Sequence, residues 1–65
     1  MPNITPAEKR VIELLAQGCT DAQIATKLGT KITTVRTQIE SARHKLDASN
    51  RVSLVAESLR KNIIK

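Results

Sequence analysis

Apolar residues recur along this chain at helical spacing, and nowhere do they alternate as a strand would require. Ala7, Val11, Leu14 and Leu15 make one stripe, introduced by Thr5-Pro6-Ala7-Glu8. Thr5 can accept from open amide groups, Pro6 gives up a donor that the first turn does not use, and Glu8 can reach back to close a capping box. Gly18 can take the left-handed conformation of a helix end, so the pattern predicts a helix over about 6–17. Thr20-Asp21-Ala22-Gln23 repeats the capping arrangement, with Cys19 and Ile24 placed as a hydrophobic staple. Ala22, Ile24, Ala25 and Leu28 supply a buried face and Gly29 a stop, which predicts a second helix over about 21–28.

In the third helix, over about 31–46, Val35, Ile39, Ala42 and Leu46 follow i, i+4, i+7, i+11 spacing. At ~100° per residue they lie within about 60° of one another. The opposite face holds Thr33, Thr37, Glu40, Ser41 and His44, with Arg36 and Arg43 on one flank and Thr34, Gln38 and Lys45 on the other. Asp47 and Ala48-Ser49-Asn50 end this helix, and Asn50 is placed to cap the next. Val52, Val55, Ala56, Leu59 and Ile63 make the last expected buried stripe, on a helix over about 51–62. Leu54 and Ile64 fall off that stripe on the side of Lys61, and are expected to be exposed. The predicted fold is all-α, a four-helix bundle forming a single domain over 1–65, with short connections and no internal repeat.

The second and third stretches describe a helix-turn-helix: Ala25 is small at a close crossing, Gly29 makes the turn, and Val35 pins the second helix on the first. The major groove of duplex DNA, about 12 Å wide, admits one helix whose first turns reach base edges. Here those turns present Thr33, Arg36, Thr37 and Glu40 as candidate base readers.

Charge adds a direction. The net charge is +5, and residues 31–65 carry all of it, with eight basic side chains against three acidic ones. A one-sided basic surface on a small domain suits a polyanion. Lys27, Lys31, Lys45 and Arg51 are candidate phosphate contacts. With no Phe, Tyr or Trp there is no aromatic platform for single strands, so the partner expected is double-stranded DNA. One cysteine and one histidine build neither a disulfide framework nor a thiolate zinc cage. Cys19 reads as a small packing residue and His44 as an exposed polar one, with no paired-carboxylate or Gly-rich phosphate site beside them. No enzyme, metal, cofactor or small-molecule ligand is expected. Asn3-Ile4-Thr5 matches a glycosylation sequon, but Pro6 follows it and no secretion signal opens the chain. No apolar run is long enough for a bilayer, so a cytoplasmic protein without a membrane role is expected.

From Ile4 to about Ile64 the sequence resembles the DNA-binding domain of the LuxR/FixJ family of bacterial transcription regulators. The resemblance rests on Ile4-Thr5-Pro6 with Glu8, Val11-Ile12, Leu14-Leu15-Ala16-Gln17-Gly18, Thr20, Ile24-Ala25, Leu28, Thr34-Val35, Lys45-Leu46, Asn50-Arg51 and Val55-Ala56. It implies a four-helix domain whose third helix enters the major groove and whose fourth pairs two copies across a twofold axis, which makes Leu54, Lys61 and Ile64 the expected dimerisation patch. It also implies base reading at Arg36, Thr37 and Glu40, and backbone contact near Thr34, Gln38 and Arg51.

Three positions depart from the family pattern. Thr30 and Lys31 stand where an apolar residue and Ser are common, which leaves the third helix with a weaker cap or one shifted to Thr30. Gln38 replaces a frequent His and keeps a hydrogen-bonding group. Glu40 replaces a basic or small residue; it either accepts from a cytosine amino group or repels phosphates and weakens binding. Family members usually carry a sensor domain before this unit, and Met1-Pro2-Asn3 leaves no room for one, so either a stand-alone member, the preferred expectation, or the excised domain of a longer protein is expected. Two further readings stay open. One is an interaction module that pairs through the fourth helix with a larger regulator and titrates it. The other is a sigma-factor promoter-reading fragment, which shares Thr34-Val35-Arg36 and Ala42-Arg43-His44-Lys45-Leu46, although the Asn50-Arg51 start of the fourth helix argues against it.

Overall fold

A computed structural model describes residues 3–65; Met1 and Pro2, at the start of the expected 1–65 domain, lie outside the described residues. Four helices follow in order: α1 (Pro6–Ala16), α2 (Asp21–Leu28), α3 (Ile32–Lys45) and α4 (Arg51–Arg60), with no strand among the described residues. The all-α helix-turn-helix expectation therefore holds, with ends one or two residues shorter than expected in α1, α3 and α4.

Local chemistry sets most of these ends. Thr5 Oγ1 accepts from the Glu8 amide at 3.1 Å while the Thr5 amide donates to Glu8 Oε1 at 2.9 Å. Thr20 and Gln23 repeat the pair at 3.2 and 2.8 Å. Each box satisfies amides that the first helical turn leaves open. Gly29, at φ +64°, ends α2 in the left-handed region and turns the chain toward α3. The cap of α3 differs from expectation: Lys31 occupies it without a side-chain hydrogen bond, and Thr30 does not take over. At the far end Asp47 adopts φ +53°, and the Arg43 guanidinium donates to the carbonyls of Ala48 and Ser49 at 3.3 and 2.6 Å, fastening the connection into α4. Asn50 Oδ1 then accepts from the Ser53 amide at 2.8 Å, as its position predicts.

α3 packs against both α1 and α2, and α4 lies mainly against α1. Val11, Ile12, Leu14, Ile24, Val35, Ile39, Ala42 and Leu54 form the centre of the core. Ala25 of α2 is buried and Val35 of α3 is fully enclosed, as the helix-turn-helix reading requires. Two alanines assigned to buried stripes, Ala7 and Ala22, are exposed, while Ile12, outside the expected stripe, is completely buried.

The largest correction concerns α4. Its most buried positions are Leu54 and Ser58; Val55 and, past the helix end, Ile63 pack half-buried on the core as the pattern predicts, whereas Val52 is 79% exposed and Ala56 and Leu59 also face outward. Ser58 can occupy the core because its hydroxyl donates to the Leu54 carbonyl at 2.7 Å, so no polar atom there is left unpaired. The chain also leaves the helix before Ile64: Asn62 turns at φ +59°, the Ile63 amide bonds the Ser58 carbonyl at 2.8 Å, and Ile64 folds back into the core. Leu54 and Ile64 are thus buried and cannot form an exposed pairing patch; Lys61, the third residue assigned to it, is exposed and pairs with Glu57 at 3.3 Å.

Candidate nucleic-acid interface

The face of α3 opposite Val35, Ile39 and Ala42 is open: Thr33, Arg36, Thr37 and Glu40 are all exposed. Thr37 Oγ1 donates to the Thr33 carbonyl at 2.9 Å, which settles its hydroxyl proton and leaves its lone pairs outward. Arg36 does not pair with Glu40, the i+4 carboxylate. Its Nε instead meets Asp21 Oδ2 at 3.3 Å, and the side chain remains 61% exposed.

Glu40 has other partners. Arg43 Nη1 reaches one carboxylate oxygen at 2.8 Å and His44 Nε2 lies 3.2 Å from the other. The Arg43 guanidinium partly offsets the negative charge that would otherwise confront a phosphate backbone.

Lys27, Lys31 and Thr34 are exposed around the α2–α3 turn and the start of α3, and Gln38 is half-buried on the flank. Neither lysine has an ion-pair partner among the described residues. Lys45 and Arg51, assigned by sequence to phosphates, are instead held by acids of the domain itself. Lys45 Nζ binds Glu8 Oε1 at 2.7 Å and the Asn3 carbonyl at 2.9 Å. Glu8 is only 4% exposed, and burial pushes its carboxyl up. The bonds from Lys45, Ser41 and the Thr5 amide outweigh that and hold it at about 2, below its ordinary 4.5.

Arg51, at the first position of α4, grips Asp21 with both terminal nitrogens, one of them 2.7 Å from Oδ2. Asp21 therefore joins the starts of α2 and α4 to the middle of α3. The Arg51 guanidinium lowers its pKa most; burial opposes that, and Arg36 lowers it further. The sequence marks neither acid beyond its helix-start role. An acid in a first helical turn has a sufficient local explanation there, and its cationic partners are 30 and 37 residues away.

A shallow apolar depression crosses the outward side of α4, lined by Leu15, Ala16, Val52, Val55, Ala56 and Leu59, with Arg51 at its edge. No group of three or more His, Cys, Asp or Glu side chains that could hold a metal ion occurs among the described residues. No described helix is long and apolar enough to cross a membrane.

Residues 2–58 match the family of bacterial regulatory proteins of the luxR type. The spore germination protein GerE of Bacillus subtilis (strain 168) is 41% identical over 59 residues, covering 91% of this chain and 80% of GerE. The transcriptional regulatory protein DesR of the same organism is 37% identical over 62 residues, 95% of this chain and 31% of DesR. The probable transcriptional regulator ycf29 of Pyropia yezoensis is 33% identical over 61 residues, 94% of this chain and 28% of ycf29. The chain thus spans less than a third of those two regulators. No solved structure matches it significantly.

Proposed function

Because the chain belongs to the luxR family of bacterial regulatory proteins and carries its helix-turn-helix DNA-binding domain, we propose that it binds double-stranded DNA sequence-specifically as a transcription regulator, with α3 in the major groove. The observation that carries this is the exposed row Thr33, Arg36, Thr37 and Glu40 above the buried row Val35, Ile39 and Ala42. Arg36 and Thr37 read base edges, and Glu40, already bonded to Arg43 and His44, serves as a secondary acceptor at the rim. Lys27, Lys31, Thr34 and Gln38 contact the backbone, while Lys45 and Arg51 contribute through the ion pairs that shape the domain. The site of action is the bacterial nucleoid, in the cytoplasm.

Selection of bound fragments from a random duplex pool tests this reading. Arg36→Ala should cost about 1–3 kcal/mol on the selected duplex and relax preference at one base pair. A wild-type protein that enriches no sequence and shows no salt-dependent shift of any duplex rejects it.

The protein acts as a homodimer through α4. The pairing surface is the apolar depression around Val52, Val55 and Leu59, in place of Leu54 and Ile64. The same surface supports pairing with a larger regulator that presents a matching helix, and co-purification in such a complex without duplex binding favours that second reading. Val52→Glu should leave helical content unchanged and yield a monomer in sedimentation at the concentration where the wild type pairs. An unchanged sedimentation coefficient rejects the patch.

A further inference from the structure

Arg36 is the only long cationic side chain among the four proposed base readers, and a mobile arginine discriminates poorly because its flexible stem must be ordered on binding. The structure supplies an anchor. Arg36 Nε donates to Asp21 Oδ2 at 3.3 Å, and Asp21 is itself held by both terminal nitrogens of Arg51. Its carboxylate is nearly enclosed, so it makes a fixed post rather than a surface charge that swings with solvent. With Nε engaged, the two terminal nitrogens of Arg36 have no partner among the described residues, and the side chain remains largely exposed. A guanidinium presented by its terminal edge offers two parallel donors, which match the paired O6 and N7 acceptors of guanine on its major-groove edge.

We propose that Asp21 is a positioning residue for DNA readout, orienting Arg36 through Nε so that its terminal fork selects a guanine. This rests on the assignment of Arg36 as a base reader. Asp21 does not itself contact the base: an acid placed there would repel the guanine acceptors and the phosphates alike. Its value lies in direction, because it spends net positive charge near the duplex to restrict where Arg36 points. Asp21 also contacts the first residue of α4, so the orientation of the reading side chain depends on the seating of the proposed pairing helix.

The test uses the duplex that the wild-type protein selects from a random pool, together with versions carrying each substitution of its preferred G·C pairs. Wild type should discriminate against one such substitution by about tenfold or more. Arg36→Ala should level that preference. Asp21→Asn should reduce it several-fold while affinity for an unrelated duplex stays the same or rises, since one negative charge is gone. A loss of fold would instead depress both affinities together, and thermal melting of the variant identifies that case.

For a variant that fails to fold, the wild-type protein carries the test. The Arg36 Nε–H resonance, assigned by its absence in Arg36→Lys, should remain protected from exchange when the selected duplex is bound. Undiminished preference in Asp21→Asn, or loss of Nε–H protection in the complex, overturns the positioning role and leaves Arg36 a reader. Undiminished preference in Arg36→Ala overturns the reading itself and this inference with it.

Discussion

Lys45→Met should destabilise the domain by about 3 kcal/mol at neutral pH, measured by urea unfolding followed by circular dichroism. The substitution keeps an apolar stem of similar length and removes the ammonium 2.7 Å from Glu8. Breaking a buried pair from one side costs about 3–5 kcal/mol, because the remaining charge has lost its compensation. The low end applies here, since the Lys45 side chain is 31% exposed and water can reach the vacated position. Against a total of about 5–15 kcal/mol for a folded domain, and less for one this small, that loss is severe.

The same pair gives the wild type a pH signature. The Glu8 carboxyl lies at about 2 in the folded domain against an ordinary 4.5, so the folded state binds its proton less readily than the unfolded chain. The resulting stabilisation, about 3 kcal/mol, is complete above pH 4.5 and drains away as pH falls from there toward 2. In Lys45→Met, only Ser41 and the Thr5 amide remain to oppose burial, so the Glu8 carboxyl rises from about 2 and the slope between those pH values should flatten. A variant within about 1 kcal/mol of wild type, with an unaltered acid slope, refutes the clamp between α1 and α3.

Leu54→Ala should cost about 2–5 kcal/mol, because the side chain is completely enclosed and its removal leaves a cavity as well as losing the transfer free energy. For a domain of this size each kcal/mol moves the melting temperature by about 4–8 °C, so a drop on the order of 10–20 °C or more is expected. Val52→Ala, two positions earlier, should change the melting temperature of dilute protein very little, since Val52 stands in solvent. A larger loss from Val52→Ala than from Leu54→Ala would mean that α4 presents its other side to the core.

That contrast also marks where sequence reading stops. The starts of α1, α2 and α4 were legible because their signals are local: Thr5 with Glu8, Thr20 with Gln23 and Asn50 with Ser53 each act across three residues. The inward row of α3 was legible because Val35, Ile39 and Ala42 are apolar and the row above them is not. On α4 the inward position Ser58 is chemically polar, and only its bond to the Leu54 carbonyl makes it fit for the core. Counting apolar residues therefore favours the row of Val52, Ala56 and Leu59. Ile64 escapes the pattern for a separate reason: the chain turns back at Asn62, where helical spacing no longer applies.

In the candidate site the exposed row was legible and its supports were not. Periodicity says which side of a helix a residue occupies, not which distant carboxylate will meet it. The partners of Lys45 and Arg51 belong to α1 and α2, and only tertiary packing brings them together.

The join that Asp21 makes between α3 and α4 bears on operator geometry. Two copies meeting along α4 would hold their inserted helices like the jaws of calipers locked at one opening. Successive major-groove faces recur on the same side of the duplex only about every 34–36 Å. A stiff pair of this kind would accept one half-site spacing and reject insertions of a few base pairs, so its choice of duplex would be set by length as well as by letters.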